Sequence, residues 1–543
     1  MTGIADRAFD RGTALDRLAT GRFDVVVVGG GITGAGVALD AASRGLRTAL
    51  VERSDFASGT SSQSSKLVHG GLRYLAQRDY RLVYQALAER QRLLANAPHL
   101  VRPLPFLLPV YGSRAASRAV GTALWMYDLT GGARIRRVHS RLSAEATAAR
   151  VPALRRSRLT AGYLYYDAHA DDARLTLAVL RTAALDHGAV AANHVRVTGL
   201  LRDGAGRVAG VTVVADGDAV EIGAGAVVNA AGVWSDDVLA LETAGTAGAP
   251  PEPSIRAAKG IHVTVPQSRL AIDVALVLPV AQDGRSIFVV PWPGTDRVYI
   301  GTTDTDYDGP LDHPACTAAD IDYLLGAVNA VLCEPLAPAD VVGTWAGLRP
   351  LVASATDARS ADLSRRHRVA SSPGGVVSVT GGKLTTYRRM AADTVDEVVR
   401  HLGRGGAGRT ARLRLRGAPP GRVAPRNHLD SRYGTEAGAV RDLVAADPSL
   451  GEPLVPSLPY LRAEAVHAVR AEMARTVTDV LARRTRALIL ARDASAAAAG
   501  DVARLLAPEL GWTDAETAAQ AEAYRALVVT ERAGAGLPEA SRA

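Results

Sequence analysis

The stretch FDVVVVGGGITGAGVALDAASRGLRTALVE, residues 23–52, decides how the chain is read. Val25 to Val28 form a β-branched run that stops at Gly29, Gly30 and Gly31, after which small residues alternate with apolar ones at helical spacing. The order expected is strand, tight turn, helix, strand. Gly29, Gly31 and Gly34 give G-x-G-x-x-G, and Glu52 closes the second strand about 20 residues on. Glycines there let the backbone approach a pyrophosphate. The helix N-terminus at Ile32 and Thr33 favours its charge, and the carboxylate accepts a hydrogen bond from a ribose hydroxyl. A Gly-rich turn in an unrelated α/β domain would not require the acid, so the reading is dinucleotide binding.

Two later segments return to the same sheet. Ala226 to Asn229 make a strand ending at Ala230, Ala231 and Gly232; Val376 to Val379 run into Gly381 and Gly382 and then a helix. Between them, IHVTVP, SIFVVPWPG and RVYIGTTDTD pattern as antiparallel strands, an inserted second sheet. The expected organisation is an N-terminal tail over 1–21 and a discontinuous nucleotide domain with its insert over 22–402, the insert mainly about 90–170 and 255–345. A Gly/Pro/Arg linker follows over 403–426, then a helical cap domain over 427–543, whose segments carry helical periodicity and capping signals.

Length and composition agree with this. At 543 residues, with 48% apolar and 22% charged, two or three domains are expected, each with a sizeable core. Two cysteines, Cys316 and Cys333, make no disulfide framework and no metal-ligand spacing, which points to a reducing compartment and no metal site. The N-terminus lacks the apolar core of a signal peptide, and no run reaches the roughly 18 apolar residues of a membrane span. A net charge of +8 favours an anionic partner. Nucleic acid is disfavoured because the arginines spread along amphipathic helices without an aromatic-plus-basic stripe. Of 63 basic residues only Lys66, Lys259 and Lys383 are lysine, and each falls in a motif.

After Glu52 comes RSDFASGTSSQSSKLVHGGLRYL, in which hydroxyls and backbone N–H groups can hold a flavin's pyrophosphate and ring edge. His69, Arg73 and Tyr74 could then face a small anion. The combination VVGGGITGAGVALDAASRG, TSSQSSKLVHGGLRYL, DDARL, IGTTDTD, GLRPL and VTGGKLTTYR closely resembles the FAD-dependent glycerol-3-phosphate dehydrogenases, from about Phe23 to Leu402, and EMARTVTDVLARRTRA is similar to the family's terminal cap. The resemblance implies an α/β fold of the glutathione-reductase/D-amino-acid-oxidase type: a Rossmann-like FAD domain, an inserted mixed β-sheet substrate domain and a C-terminal α-helical domain. It implies FAD-dependent oxidation of sn-glycerol 3-phosphate to dihydroxyacetone phosphate, with electrons passed to a membrane quinone. The expected place is cytoplasmic, peripheral on the inner face of the cell membrane and touching its anionic surface. A homodimer is one candidate assembly.

By this resemblance FAD contacts fall on Gly29, Gly31, Ile32, Thr33, Gly34, Glu52, Arg53, Thr60, Ser61, Ser62, Ser65, Lys66, Leu67, His69, Gly70, Gly71, Val195, Ala230, Gly232, Gly382, Lys383, Leu384 and Thr385. The substrate's phosphate falls to a cradle of Arg73, Tyr74, Lys259, His262, Arg349 and Lys383. Alcohol oxidation also needs a base, for which His69 and His262 are the candidates because imidazole titrates in the working range. His69 is favoured, with Arg349 polarising the alkoxide, and the choice stays open. Thr302, Thr303 and Asp304 are expected to shape the substrate strand, and the basic stretch 404–426 is either a lipid contact or a solvated surface segment. Three alternatives stand: an oxidase passing electrons to O2, an amino-acid or sarcosine-type oxidase, and a non-catalytic flavoprotein sensor.

Overall fold

A computed structural model describes residues 9–71, 79–135, 137–243, 254–280, 285–352, 366–421 and 425–538. Its first sheet is built around Phe23–Val28, six residues all buried, as a β-branched run covered on both faces should be. On one side it pairs in parallel with Thr48–Val51, which pairs with Val190–Ala192; on the other with Asp218–Asn229, which pairs with Val377–Thr380. Arg368–Ser371 closes that edge antiparallel, and the hairpin Val195–Arg202/Val208–Ala215 extends from the early part of Asp218–Asn229. Helix Ile32–Ser43 is buried along nearly its whole length and packs on helix Tyr387–Leu402. A Cβ on Gly36 would lie 2.8 Å from the Tyr387 ring, so the close crossing requires glycine.

The second sheet takes ten strands from two separate stretches. Val101–Tyr111 and Leu159–Ala170 pair antiparallel over their full length, and Ile255–Pro266 is flanked by Gly343–Val352 and Arg297–Gly301. The fold is thus the α/β FAD-binding type with an inserted mixed sheet and a C-terminal helical domain, as expected.

The terminal regions are tied in more tightly than their sequence patterns suggest. Arg11–Thr20, placed in the tail by the sequence reading, is a helix capped by Asp10, with Leu18 buried and the Arg11 guanidinium donating to the Asn193 carbonyl at 2.8 Å. The basic stretch after Gly403 is held back against the protein: Thr410 Oγ1 donates to Asp40, Leu415 N–H to the Asn96 carbonyl, and Arg416 pairs with Glu436 and Asp186. Two charges read as available to lipid, Arg404 on Asp24 and Arg416 on Glu436 and Asp186, are therefore spent on carboxylates.

The C-terminal helices, including Arg462–Glu472, Arg492–Leu510 and Asp514–Gly534, share one apolar core with the second sheet, where Trp292, Tyr299 and Trp345 meet Leu481, Ile489 and Val502. The seam also holds buried ion pairs. Arg484 is bidentate to Asp55 at 2.6 and 2.9 Å, Arg174 donates to Glu472 at 2.7 Å, and Arg486 reaches Asp172 at 3.3 Å. Breaking one partner of such a pair costs about 3–5 kcal/mol because the other charge stays buried. Among the described residues no helix is long and apolar enough to cross a membrane.

Candidate active site

A cavity of about 320 Å³ runs along the carboxyl ends of the parallel strands, where an open α/β sheet places its ligand. One end is made by the glycine turn. Gly29 has φ +111°, and a Cβ there would lie 2.7 Å from the Ala230 carbonyl oxygen. A Cβ on Gly34 would lie 1.9 Å from the Gly29 carbonyl oxygen, so Gly34 permits helix–strand contact rather than facing the cavity. Gly31, which has no side chain with which to cap helix Ile32–Ser43, lines the cavity with Ile32 and Thr33. The Ile32 N–H donates to Ser61 Oγ at 2.8 Å, so the hydroxyl-rich loop supplies the cap.

Glu52 lines the same end, its two oxygens accepting from the Gly30 N–H at 2.6 Å and the Ser54 N–H at 2.8 Å. Burial pushes its carboxyl up, against these bonds. Each oxygen keeps acceptor capacity for a ribose hydroxyl. Arg53, Val195, Ala230 and Gly232 complete this half, with the Arg53 guanidinium 4.4 Å over the Trp234 ring. Trp234 was not anticipated; its place just after the Ala-Ala-Gly strand end is the signal that marks it.

The other end of the cavity is lined by Thr60, Ser61, Ser64, Pro350, Gly382, Lys383 and Leu384. Thr60 Oγ1 donates to the Leu348 carbonyl at 2.6 Å, tying the loop to strand Gly343–Val352. Next to Pro350, the Arg349 guanidinium is aimed by Asp304 at 3.1 Å, Thr302 Oγ1 at 3.1 Å and the Thr303 carbonyl at 2.9 Å. Gly260 makes room for it, since a Cβ there would lie 2.4 Å from its Nη2.

His262 stacks on Trp345, with ring centroids 4.7 Å apart and planes at 7°, and its Nε2 is 2.9 Å from Ser65 Oγ. Burial, then the charges of Lys66 and Arg349, drive its pKa well below the usual range, so the ring is neutral. His69 is half-buried at the turn after the short strand Leu67–Val68. Its N–H donates to Thr385 Oγ1 at 3.2 Å, which brings it beside the Lys383 turn.

Several predicted contacts lie elsewhere. Lys66 is sealed from the cavity: its Nζ donates to Asp172 at 3.1 and 3.3 Å and to the Ser62 and Ser64 carbonyls, 4.7 Å from the centre of the Trp345 ring. A fully buried ammonium needs a carboxylate, and the DDARL segment provides it. Ser62 is buried beneath the loop, and Ser65 is committed to His262. Leu67 pairs with His169, the Gly70 N–H donates to Tyr127 Oη at 3.0 Å, and Gly71 lies beyond this turn; none of the three lines the cavity. Lys259 donates to Asp320 at 2.6 Å and the Ala315 carbonyl, away from the cavity. Arg73 and Tyr74 lie outside the described residues.

The cleft fits FAD: Gly29 and Gly31 keep side chains out of the turn that lines it, a helix N-terminus and hydroxyl loop face one half, and a lysine stands at the other. Residues 24–388 match the FAD dependent oxidoreductase family, and residues 383–517 match the C-terminal domain of alpha-glycerophosphate oxidase. The chain is 44% identical over 544 residues to glycerol-3-phosphate dehydrogenase 2 of Mycobacterium tuberculosis, covering 96% of this chain and 90% of that protein. It is 37% identical over 553 residues to the mitochondrial glycerol-3-phosphate dehydrogenase of Homo sapiens, covering 94% and 74%. The structure of glycerol-3-phosphate dehydrogenase from Bacillus halodurans complexed with FAD matches at TM-score 0.74 and 32% identity, covering 98% of this chain and 99% of that one. L-alpha-glycerophosphate oxidase from Mycoplasma pneumoniae shares the fold at TM-score 0.55 and 17% identity, covering 73% and 99%. On its cleft and on these likenesses, the chain belongs to the FAD-dependent glycerol-3-phosphate dehydrogenases.

Proposed function

We propose that the protein oxidises sn-glycerol 3-phosphate to dihydroxyacetone phosphate with FAD and delivers the electrons to a membrane quinone. The observation that carries the substrate reading is Lys383 in the cleft lining, with Arg349, held by Asp304 and Thr303, on the strand whose next residue, Pro350, also lines the cleft; two such cationic groups suit a phosphate dianion. Oxidising a secondary alcohol removes a hydride from carbon and a proton from oxygen. When bound, FAD supplies the hydride acceptor. His69 takes the hydroxyl proton: its backbone stands next to Thr385 and its ring is edge-on to Phe288 at 6.1 Å, whereas protonation of His262 is opposed by burial, Lys66 and Arg349. His262 instead holds Ser65 and the loop in place, while Arg349 and Lys383 fix the phosphate and orient the reacting carbon. Arg73 and Tyr74 join this cradle in the proposal.

The acceptor reading rests on one face. Seven large apolar side chains stand exposed among the described residues, and six of them, Tyr80, Tyr84, Trp125, Met126, Leu129 and Val138, come from residues 80–138. The Arg134 guanidinium lies 4.7 Å over the Tyr84 ring and Trp125 meets His139 at 4.9 Å, which joins the segments into one patch. Between residues 80 and 141 the two carboxylates, Glu89 and Asp128, are both buried, while Arg81, Arg114, Arg118, Arg137 and Arg141 are exposed. An apolar centre with an arginine rim suits an anionic lipid surface. Beside it opens a cavity of about 420 Å³ lined by Leu94, Val101, Pro103, Pro105, Ile135 and Tyr166, apolar enough for a quinone ring.

Vesicle sedimentation tests this. The holoprotein should bind vesicles containing anionic lipid, and Trp125→Glu/Leu129→Glu should abolish binding while keeping turnover with a soluble dye. Unchanged vesicle binding, or a change of oligomeric mass in place of a change in binding, would remove the lipid reading.

A further inference from the structure

A second pocket, of about 70 Å³, shares no residue with the FAD cleft and lies at the seam with the C-terminal domain. His99, Arg102, His169, Asp171 and Arg174 line it from the oxidoreductase region, His428 and Arg432 from the helical domain, so one carboxylate, Asp171, stands in the lining itself. His99 and His169 are 2% and 7% exposed, yet His99 Nδ1 and His169 Nε2 have no hydrogen-bond partner among the described residues, nor has Arg174 Nε. Buried polar atoms are nearly always satisfied, so three bare nitrogens around one pocket call for a polar ligand, to which Arg174 Nε donates and each neutral imidazole can turn its one N–H.

The charges narrow the class. Arg102 faces His169 across the strand pair, and its guanidinium donates to the carbonyls of His99 at 3.1 Å and Ser431 at 3.4 Å, with no carboxylate in reach among the described residues. The nearby acids are committed: Asp171 to Arg432 at 3.3 Å, Glu464 to His428 at 2.9 Å and to Arg432 at 3.1 Å, and Glu472 to Arg174 at 2.7 Å. Donors are in surplus and acceptors are used up. Arg102 and Arg174 exclude a cation, and the volume admits a few waters or one compact ion but no nucleotide. We propose that this seam pocket binds a tetrahedral inorganic oxyanion, phosphate or sulfate, which completes the hydrogen bonding of His99, His169 and Arg102 and bridges the oxidoreductase region to the C-terminal domain.

The test uses the full-length holoprotein titrated with inorganic phosphate at constant ionic strength, with chloride as the control and thermal midpoint as the readout. The substrate cleft also attracts phosphate if the proposed activity holds, and competitive inhibition of turnover reads that site separately. Arg102→Gln and His169→Asn should each cut the phosphate-dependent rise in midpoint at least twofold and leave the inhibition constant unchanged. The same full rise in both variants, at full FAD content, would overturn the proposal. Should both variants lose FAD, crystals of the parent protein soaked in selenate decide: an anomalous peak between His99 Nδ1 and His169 Nε2 supports the site. A pocket holding water only, or a peak confined to the FAD cleft, refutes it.

Discussion

The two ends of the FAD cleft are built by opposite means. The glycine-turn end is built mainly from one stretch, residues 29–61, closed by Val195, Ala230, Gly232 and Trp234, with the N–H groups of Gly30 and Ile32 fixed by Glu52 and Ser61 and side chains excluded at Gly29 and Gly34. The other end, where we place the substrate, is lined by Thr60, Ser64, Pro350, Gly382, Lys383 and Leu384 from separate loops and strands, with His69, His262 and Arg349 next to this lining and tied to Thr385, Ser65 and Asp304. Asp172 receives both Lys66, beneath the loop, and Arg486, from the C-terminal domain, so the helical domain helps to set the substrate end. Local geometry therefore builds the glycine-turn end, and long-range charge pairing supports the end at which we place the substrate.

The strongest way to break the first end is Gly34→Val. Its Cβ would lie 1.9 Å from the Gly29 carbonyl oxygen, and both partners are backbone with nowhere to move. Loss of bound flavin is expected, read as visible absorbance of the purified protein; a yellow variant with parental FAD content would show that the turn is less tightly built than described.

Breaking the second end should leave the flavin in place. His69→Gln is expected to lower kcat/KM by about 10²- to 10⁴-fold and to remove the acidic limb of its pH profile, the contribution of a positioned base. His262→Gln should cost less and keep that limb, because the native ring is already neutral. The reverse pattern would make His262 the base.

The pairing that holds the seam has its own signature in acid. Burial alone would raise the Glu472 carboxyl, but Arg174, His467, Arg181 and Arg484 override it and hold it down to about 2. A carboxyl with a depressed folded pKa stabilises fully above its unfolded value, near 4.5, and loses that contribution as pH falls towards 2. The contribution is about 3 kcal/mol. The stability gap between the parent and Glu472→Gln, measured by urea unfolding, should be full at pH 6 and close between about pH 4.5 and 2. A gap independent of pH would remove Glu472 from the seam's ion pairs.

How much was legible follows from the same contrast. The glycine spacing, Glu52 and the hydroxyl loop were readable because each acts through residues adjacent in sequence. The resemblance identified Lys383 as a cleft residue, and it lines the cleft; Arg349 does not line it but sits next to Pro350, which does. What could not be read was pairing across the chain. Lys66 looks like a cofactor contact until Asp172, 106 residues away, claims it. Lys259 is likewise taken by Asp320, and the basic stretch after Gly403 looks free until Glu436 and Asp186 draw in Arg416. The apolar face at residues 80–138 was also hidden, because exposure is a property of packing.

The most direct test of the central claim is anaerobic reduction of the bound flavin, followed by loss of its visible absorbance after mixing with sn-glycerol 3-phosphate or with glycerol. If the Arg349 and Lys383 end of the cleft binds a phosphate dianion, glycerol 3-phosphate should bleach the flavin far faster than glycerol. Arg349→Lys should slow the first reaction by on the order of 2–3 kcal/mol in kcat/KM without lowering flavin content. Equal bleaching by glycerol and its phosphate, or bleaching by an amino acid alone, would contradict the account.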